Sequence, residues 1–269
     1  MALRPEFQDF RNFVWHVWSC LGLPDPTPIQ YDIADFLQHG PDRTKAPNEA
    51  PNNRLVIFGF RGVAKSWITD TFGIWCLARS QAEQELVVSA AKDRADDSSL
   101  FMQQLLEVVP ELRFLVPVNK TEARWSKVNF DVEGAPVSQA ASVRSRGIFG
   151  QLTGGRASLV LADDVETPNT SETLALREKL ERRVGEFEAV LRPGGRIIYL
   201  GTPQPEATLY NKLCGDPPQG KGYRARAWPA RYPSVVQIEH YQGTLAPMIE
   251  AAVRAAPTLA GQPTAPPRF

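Results

Sequence analysis

One stretch of this 269-residue sequence decides its fold, and it reads Leu55-Val56-Ile57-Phe58-Gly59-Phe60-Arg61-Gly62-Val63-Ala64-Lys65-Ser66. The first four residues are apolar and predict a buried strand, whereas a helical pattern begins at Lys65. A glycine-bearing turn joins the two, as in loops whose backbone N–H groups surround phosphate at a helix N-terminus. The stretch therefore predicts a strand, a phosphate-binding loop and a helix in succession.

The predicted loop supplies the two side chains that a magnesium–triphosphate requires. Lys65 is expected to reach the β- and γ-phosphates, and Ser66 is expected to bind Mg²⁺. The competing interpretation is an ordinary strand–helix turn followed by a chance Lys-Ser pair, which the flanking strand and helix disfavour. We therefore predict ATP and Mg²⁺ as cofactors, with backbone contacts along the loop from Gly59, Gly62, Val63 and Ala64.

Ala64 departs from the loop pattern, which has a glycine at this position. We expect the alanine to be tolerated if this residue has helical dihedral angles, because its Cβ then adds little strain.

A second motif is an apolar run that ends in acids, Leu159-Val160-Leu161-Ala162-Asp163-Asp164-Val165-Glu166. In an open parallel sheet, ligands bind at the carboxyl ends of the strands, so these acids are expected beside the loop. We assign Asp163 to Mg²⁺ and Asp164 to activation of the attacking water, with Glu166 as the alternative. Alone, such a motif is a common strand end, and only the loop makes it specific.

Three weaker signals concern single side chains. Gln30 follows a proline-rich turn and resembles the adenine-reading glutamine found upstream of helicase-like phosphate loops, because an amide both donates and accepts. Thr202, in Gly201-Thr202-Pro203-Gln204, follows a predicted strand and is a candidate sensor of the γ-phosphate. Arg156 lies in a glycine-rich segment and is a candidate arginine finger for a neighbouring subunit. The non-functional alternatives are a glutamine on a helix surface for Gln30, an ordinary turn for Thr202 and a solvated arginine for Arg156.

Short apolar strands alternate with helical patterns along most of the chain. Strands are predicted at 55–58, 86–88, 159–162 and 197–200, and helices at 6–20, 29–37, 65–78, 91–109, 171–191 and 241–255. The alternation predicts an α/β fold with a largely parallel central sheet flanked by helices, that is, a P-loop NTPase of the additional-strand, RecA- or helicase-like type. Antiparallel strands are expected between 113 and 145. We expect 1–255 to be one ATPase domain with an N-terminal helical segment at 1–40, and the proline-rich 256–269 to begin a linker.

The composition excludes several classes of protein. Thirty basic residues balance thirty acidic residues, so net charge gives no argument for binding nucleic acid. The three cysteines are far apart and form neither a disulfide framework nor a zinc motif. Without a signal-peptide core or a run of about 20 apolar residues, the protein is expected to be soluble and intracellular.

Five blocks, in this order, resemble the large terminase subunit of short-tailed bacteriophages. They are Gly59-Phe60-Arg61-Gly62-Val63-Ala64-Lys65-Ser66, Val87-Val88-Ser89-Ala90-Ala91-Lys92-Asp93-Arg94-Ala95-Asp96, Gly150-Gln151-Leu152-Thr153-Gly154-Gly155-Arg156, Ala162-Asp163-Asp164-Val165-Glu166 and Tyr199-Leu200-Gly201-Thr202-Pro203-Gln204.

The resemblance implies a DNA-packaging motor that uses ATP to translocate double-stranded DNA into a procapsid. Its implied partners are the portal protein, the procapsid, the small terminase subunit and further copies of the chain in a ring, a pentamer on the portal. The implied location is the host cytoplasm during virion assembly. Relatives continue into a nuclease domain that lies beyond this chain, so we expect ATP hydrolysis without DNA cleavage.

The resemblance also implies roles for single residues. Arg61 contacts the γ-phosphate, and Arg156 is the finger that acts on a neighbouring subunit. Gly201-Thr202-Pro203 couples hydrolysis to movement. Independently of the resemblance, Arg144 and Arg146 are candidate contacts to the DNA backbone.

Two other classes of protein fit parts of the pattern. One is a helicase or another P-loop ATPase without a packaging role, although too few residues follow Gln204 for a second ATPase-like lobe. The other is a nucleotide-binding scaffold that has lost hydrolysis, which the retained Lys65, Ser66 and carboxylates disfavour.

Overall fold

A seven-stranded sheet forms the centre of the computed structural model, which describes residues 3–202, 209–218 and 220–265. Its order is β3-β4-β2-β5-β6-β1-β7, and every neighbouring pair is parallel except β3 with β4. The strands are β1 (Arg54–Gly59), β2 (Glu85–Ser89), β3 (Asn129–Phe130), β4 (Val143–Gly147), β5 (Ala157–Asp163), β6 (Leu191–Gly201) and β7 (Arg224–Trp228). The predicted largely parallel α/β fold is confirmed.

Helices cover both faces of this sheet. They are α1 (Phe10–Cys20), α2 (Pro28–His39), α3 (Lys65–Arg79), α4 (Lys92–Val108), α5 (Pro168–Ser171), α6 (Leu174–Val190), α7 (Leu209–Leu213) and α8 (Pro247–Ala255), with 3-10 turns at Pro5–Gln8, Pro110–Leu115, Val236–Tyr241 and Pro257–Leu259. The helices α1 to α4 and α8 contribute to one apolar core, and α6 and α7 contribute to the other. Among the described residues, no helix is both long and apolar enough to cross a membrane.

The sequence misjudged three elements. The expected antiparallel strands reduce to the two-residue β3, because β4 pairs in parallel with β2. The long helix expected at 171–191 is α5 followed by α6, and β6 begins at Leu191, directly after α6 ends. The edge strand β7 was missed because arginine and alanine alternate in it, so it contains no apolar run. One of these arginines, Arg226, packs with its guanidinium over the Phe36 ring at 4.3 Å.

The N-terminal segment packs into the same core as the phosphate-loop helix α3. The indole of Trp75 donates a hydrogen bond of 2.7 Å to the backbone carbonyl of Phe7. The Phe10 ring lies 5.1 Å from Phe72 and 5.3 Å from Trp75. These contacts join the predicted helical segment 1–40 to α3.

The final described segment folds back onto the preceding chain. Thr264 N–H donates to the carbonyl of Ala230 at 3.0 Å, and Tyr232 N–H donates to that of Gln262 at 2.9 Å. A linker function for 256–269 stays a prediction.

The helix α3 approaches β2 closely because Gly73 has no side chain. A Cβ at Gly73 would lie 2.6 Å from Cε of Met102 and 3.2 Å from Cδ of Glu85. Glu85 is fully buried, and neither carboxyl oxygen has a hydrogen-bond partner among the described residues. Burial, followed by repulsion from Glu83 and Asp70, raises the pKa of Glu85 well above 4.5.

We predict that Glu85→Gln stabilises the fold, increasingly so at higher pH. Since the pKa of Glu85 is higher in the folded than in the unfolded chain, the wild type loses stability as pH rises above about 4.5. Glutamine removes this loss, and its gain in unfolding free energy should reach roughly 1 kcal/mol or more at pH 8. Urea unfolding of both proteins at pH 5 and pH 8 measures the difference. A gain that is equal at the two pH values, or absent, contradicts the prediction.

Candidate nucleotide-binding site

The carboxyl edge of the sheet holds a cavity of about 1040 Å³ between α2, α3, α4 and the end of β5. The predicted phosphate loop and the predicted acidic strand end both border it, through Lys65, Ser66, Asp163 and Asp164. β1 and β5 flank β6 in the sheet, so the segments that follow these strands are neighbours. The structure therefore brings the two sequence motifs together.

The phosphate loop (residues 59–66) turns through left-handed backbone conformations. Gly62 has φ of 91°, and Ala64 has φ of 66° and ψ of 29°. The condition under which Ala64 was expected to be tolerated, helical dihedral angles, is not met: its conformation is left-handed, which costs an L-residue with a Cβ about 1–2 kcal/mol. A side chain at Gly59 would be crowded, because a Cβ there would lie 3.0 Å from Cγ1 of the buried Val63.

This conformation leaves several backbone N–H groups of the loop without acceptors. Within the described parts of the chain, no acceptor binds the N–H of Gly62, Ala64, Lys65 or Ser66. The last two begin α3, so the positive end of the helix dipole lies at the same place. Such an arrangement suits an anion of phosphate size.

The Lys65 ammonium lies between the ends of two strands. Its Nζ is 3.5 Å from Oγ1 of Thr202, which follows β6, and 3.7 Å from Oδ2 of Asp164, which follows β5. Lys65 is only 8% exposed. The side chain predicted to contact phosphate thus has one long hydrogen bond and one loose ion pair, and it retains the capacity to bind an anion.

Asp163 has the properties of a cation ligand. Its Oδ1 is buried and accepts no hydrogen bond from any described residue. Burial raises its pKa to about 6, and repulsion from Asp164 adds to this, whereas a hydrogen bond from Ser66 and the charges of Lys65 and Arg94 lower it. An unpaired buried carboxyl oxygen beside the Ser66 hydroxyl fits Mg²⁺, which takes few protein ligands and otherwise binds phosphate and water.

The two candidates for water activation occupy different surroundings. Asp164 borders the cavity with φ of 42°, and its side chain is 46% exposed. Glu166 is buried, and both of its carboxyl oxygens accept from the N–H of Leu209 at 3.1 and 3.0 Å. Burial raises its pKa, while the Leu209 bond and the charge of Arg177 lower it. The geometry favours Asp164 over Glu166.

Gln30 is buried rather than exposed on the helix surface. Its Oε1 accepts from Thr27 N–H at 2.8 Å, and its Nε2 donates to the Val63 carbonyl of the phosphate loop at 3.2 Å. One N–H and one lone pair stay available at the cavity wall. Gln30 therefore ties α2 to the loop, and its reading of adenine stays a prediction.

The structure adds cavity residues that the sequence did not single out for a role. One is Arg94, in the first turn of α4, which borders the cavity together with the already predicted Arg61. Neither arginine forms an ion pair within the described chain. Asp70, one turn after Ser66, is buried there too. Burial and then repulsion from Asp163 raise the pKa of Asp70 well above 3.8, against a hydrogen bond from Ser98. Helical spacing from Ser66 was the available signal for Asp70.

Other candidates lie elsewhere. Arg156 precedes β5, about 23 Å of strand from Asp163, and donates to the Ala189 carbonyl at 2.9 Å. Arg144 is buried and donates to the carbonyls of Gly155 and Arg156 at 3.2 and 3.0 Å, so as a DNA contact it is wrong. Arg146 is half-buried. Pro203 and Gln204 lie outside the described residues.

Comparison with known proteins identifies the sequence. No family model matches. The large subunit of the terminase of Enterobacteria phage T3 is 42% identical over 265 residues, which are 97% of this chain. The chain is a homologue of the terminase large subunit. It spans 42% of the length of that relative.

Solved structures similar to this terminase homologue have low sequence identity. The large terminase of bacteriophage HK97 aligns over 65% of this chain and 33% of its own, with a TM-score of 0.42 and 15% identity. The large terminase ATPase domain of Thermus phage P74-26 aligns over 75% of this chain and 74% of its own, with a TM-score of 0.39 and 16% identity. Yeast Dbp5 aligns over 77% and 48%, with a TM-score of 0.44 and 12% identity.

We predict that Ala64→Gly stabilises the terminase homologue. Relief of the left-handed strain gains about 1–2 kcal/mol, and the added backbone entropy of the unfolded chain costs roughly 0.5–1 kcal/mol. The net gain in unfolding free energy should be about 0.5–1 kcal/mol, measured by chemical denaturation without nucleotide. Ala251→Gly, at an exposed position inside the helix α8, is the matched control and should destabilise. Destabilisation by Ala64→Gly would rule out the left-handed loop.

Proposed function

We propose that this chain is the ATP-hydrolysing motor domain of a terminase large subunit. The observation that carries the proposal is the convergence of Lys65, Asp163 and Asp164 on one cavity beside unbonded loop N–H groups. A triphosphate in this cavity supplies the anion for which the Lys65 ammonium and the loop N–H groups are arranged.

Each residue has a role set by its position. Lys65 neutralises charge on the β- and γ-phosphates, and the loop N–H groups bind their oxygens. Asp164, exposed at the cavity, accepts the proton of the attacking water. Arg61 and Arg94, both without carboxylate partners among the described residues, supply positive charge as negative charge spreads over the γ-phosphoryl oxygens.

Ser66 and Asp163 are the residues that would hold Mg²⁺. The ion, when bound, neutralises charge on the phosphate oxygens. Among the described residues, no group of three or more His, Cys, Asp and Glu side chains is arranged as a metal site of its own. The remaining ligands in this proposal are phosphate and water.

Thr202 is the proposed connection between hydrolysis and movement. Its hydroxyl lies 3.5 Å from Nζ of Lys65, so a γ-phosphate drawn to that ammonium also approaches Thr202. Thr202 follows the long strand β6, which extends across the sheet. We propose that loss of the γ-phosphate is transmitted along this strand and drives double-stranded DNA through the portal into the procapsid. The proposed partners also include the small terminase subunit and further copies of this chain in a homo-oligomeric ring, a pentamer on the portal. The proposed motor works in the host cytoplasm.

We predict that Lys65→Ala and Asp164→Asn strongly slow steady ATP turnover, whereas Glu166→Gln retains it. Losing the lysine removes charge stabilisation, with an expected fall in kcat/KM of roughly 10²–10³. Losing the Asp164 carboxylate removes the proton acceptor, with an expected fall in kcat of roughly 10²–10⁴. Phosphate release measures all three. If Glu166→Gln lost turnover and Asp164→Asn kept it, Glu166 and not Asp164 would be the residue that accepts the proton of the attacking water.

The trans-acting role of Arg156 gives a separate prediction. Arg156 is too far along β5 to serve its own cavity, so it requires a neighbouring subunit. The isolated monomer should be a slow ATPase, and turnover per subunit should rise with protein concentration, by on the order of 10³ on full assembly. Arg156→Ala should remove that rise. Fast turnover by a monomeric sample, unchanged by Arg156→Ala, contradicts this role.

A further inference from the structure

A buried tyrosine, Tyr210, lies behind the strand end that carries Thr202. It belongs to the short helix α7 and is only 1% exposed. Its ring packs edge-on against Phe58 of β1, with ring centres 5.4 Å apart, and against Tyr199 of β6, with ring centres 6.4 Å apart. One side chain therefore contacts both the strand that leads to the phosphate loop and the strand that leads to Thr202.

The Tyr210 hydroxyl shares a hydrogen-bond acceptor with the backbone of Asp164. It donates to the carbonyl oxygen of Leu200 at 3.2 Å, and the N–H of Asp164 donates to the same oxygen at 3.0 Å. A carbonyl oxygen has two lone pairs and can accept both bonds. A shift of the Leu200 carbonyl would therefore also shift the backbone of Asp164, the proposed proton acceptor.

The ring of Tyr210 approaches the backbone of Gly201 so closely that a side chain is excluded there. A Cβ at Gly201 would lie 2.7 Å from Cζ of Tyr210, 2.9 Å from Cε2 and 3.0 Å from the hydroxyl oxygen. The ring cannot withdraw freely, because Phe58 and Tyr199 pack against it. It therefore supports the backbone directly before Thr202, whose hydroxyl lies 3.5 Å from Nζ of Lys65.

Glu166 fixes α7 from the side of the acids. Both of its carboxyl oxygens accept from the N–H of Leu209, the residue before Tyr210, at 3.1 and 3.0 Å. A buried acceptor that lost this donor would be left unsatisfied at a cost of about 1–3 kcal/mol. The acids after β5, the start of α7 and the end of β6 are thus joined by a closed set of contacts, with Tyr210 at its centre.

We propose that Tyr210 is a positioning residue that holds Asp164 and Thr202 at their places beside the γ-phosphate. The inference rests on the proposed motor function for the reaction that these residues perform. Tyr210 is not among the described residues that line the cavity, so it acts through the backbone of Leu200 and Gly201. Small displacements of a reacting group can slow a reaction strongly, so such support affects the rate.

Hydrogen exchange of the nucleotide-free chain tests the positioning itself, with Tyr210→Phe as the variant. Phenylalanine keeps the ring and its packing and removes only the hydroxyl. Loss of the bond to the Leu200 carbonyl should increase amide exchange in peptides that cover 163–166 and 200–202 by roughly three- to tenfold, the range expected for one hydrogen bond. Mass spectrometry of the exchanged peptides measures this increase.

ATP turnover by the same variant tests the consequence for the reaction. Tyr210→Phe should lower kcat by roughly three- to tenfold and change KM for ATP by less than about twofold. KM is expected to persist because Lys65 and the loop N–H groups, which are proposed to bind the phosphates, are unaltered.

Tyr223→Phe is the matched control. Tyr223 is buried in the same apolar core as Tyr210, and its hydroxyl donates to Glu188 at 3.2 Å rather than to the end of β6. The control also removes one hydroxyl and one hydrogen bond from this core. It should leave kcat and the exchange of both peptides unchanged, whereas a general loss of stability would appear in both variants.

Three results would overturn the proposal. They are unchanged exchange of both peptides in Tyr210→Phe, increased exchange without a fall in kcat, and equal effects of Tyr210→Phe and Tyr223→Phe. The exchange measurement needs no nucleotide. A wild type that never hydrolyses ATP, combined with the local increase in exchange, would therefore refute the motor and still support the hold of Tyr210 on Asp164 and Thr202.

Discussion

The buried ammonium group of Lys65 is the interaction on which the site depends. It is 8% exposed, and among the described residues it has a long bond to Thr202 and a loose ion pair with the half-exposed Asp164. A buried cation is costly unless anions surround it, and Asp164 compensates it only in part. The adjacent order of β1, β6 and β5 brings these three residues together, so the sheet topology creates an unmet need for negative charge, which the proposed triphosphate would supply.

Two strained residues border that ammonium. Ala64 and Asp164 both have positive φ although neither is glycine, and each lies just after a central strand. Such strain persists only where surrounding contacts enforce it, and it is common at functional sites. Here the contacts are the bond from Gln30 to Val63 and the bond from Asp164 N–H to the Leu200 carbonyl at 3.0 Å. They hold the phosphate loop and the acids in place.

The sequence predicted the centre of the fold because β1, β2, β5 and β6 contain continuous apolar runs, which are typical of strands buried on both faces. It missed β7 because an edge strand needs no such run. The left-handed angle at Ala64 and the burial of Gln30 depend on neighbours distant in sequence. Strand direction alone separates Arg156 from the nucleotide, since it precedes the strand whose far end carries Asp163. Asp70 was overlooked although the predicted helix at 65–78 places it one turn after Ser66.

A crystal structure of the chain with Mg²⁺ and a non-hydrolysable ATP analogue tests the central claim most directly. The account predicts β- and γ-phosphates inside loop 59–66, with the Lys65 ammonium in contact with them and the metal next to Ser66 and Asp163. A nucleotide bound elsewhere, or a Lys65 side chain that still bonds only Thr202 and Asp164 in the occupied protein, would contradict it.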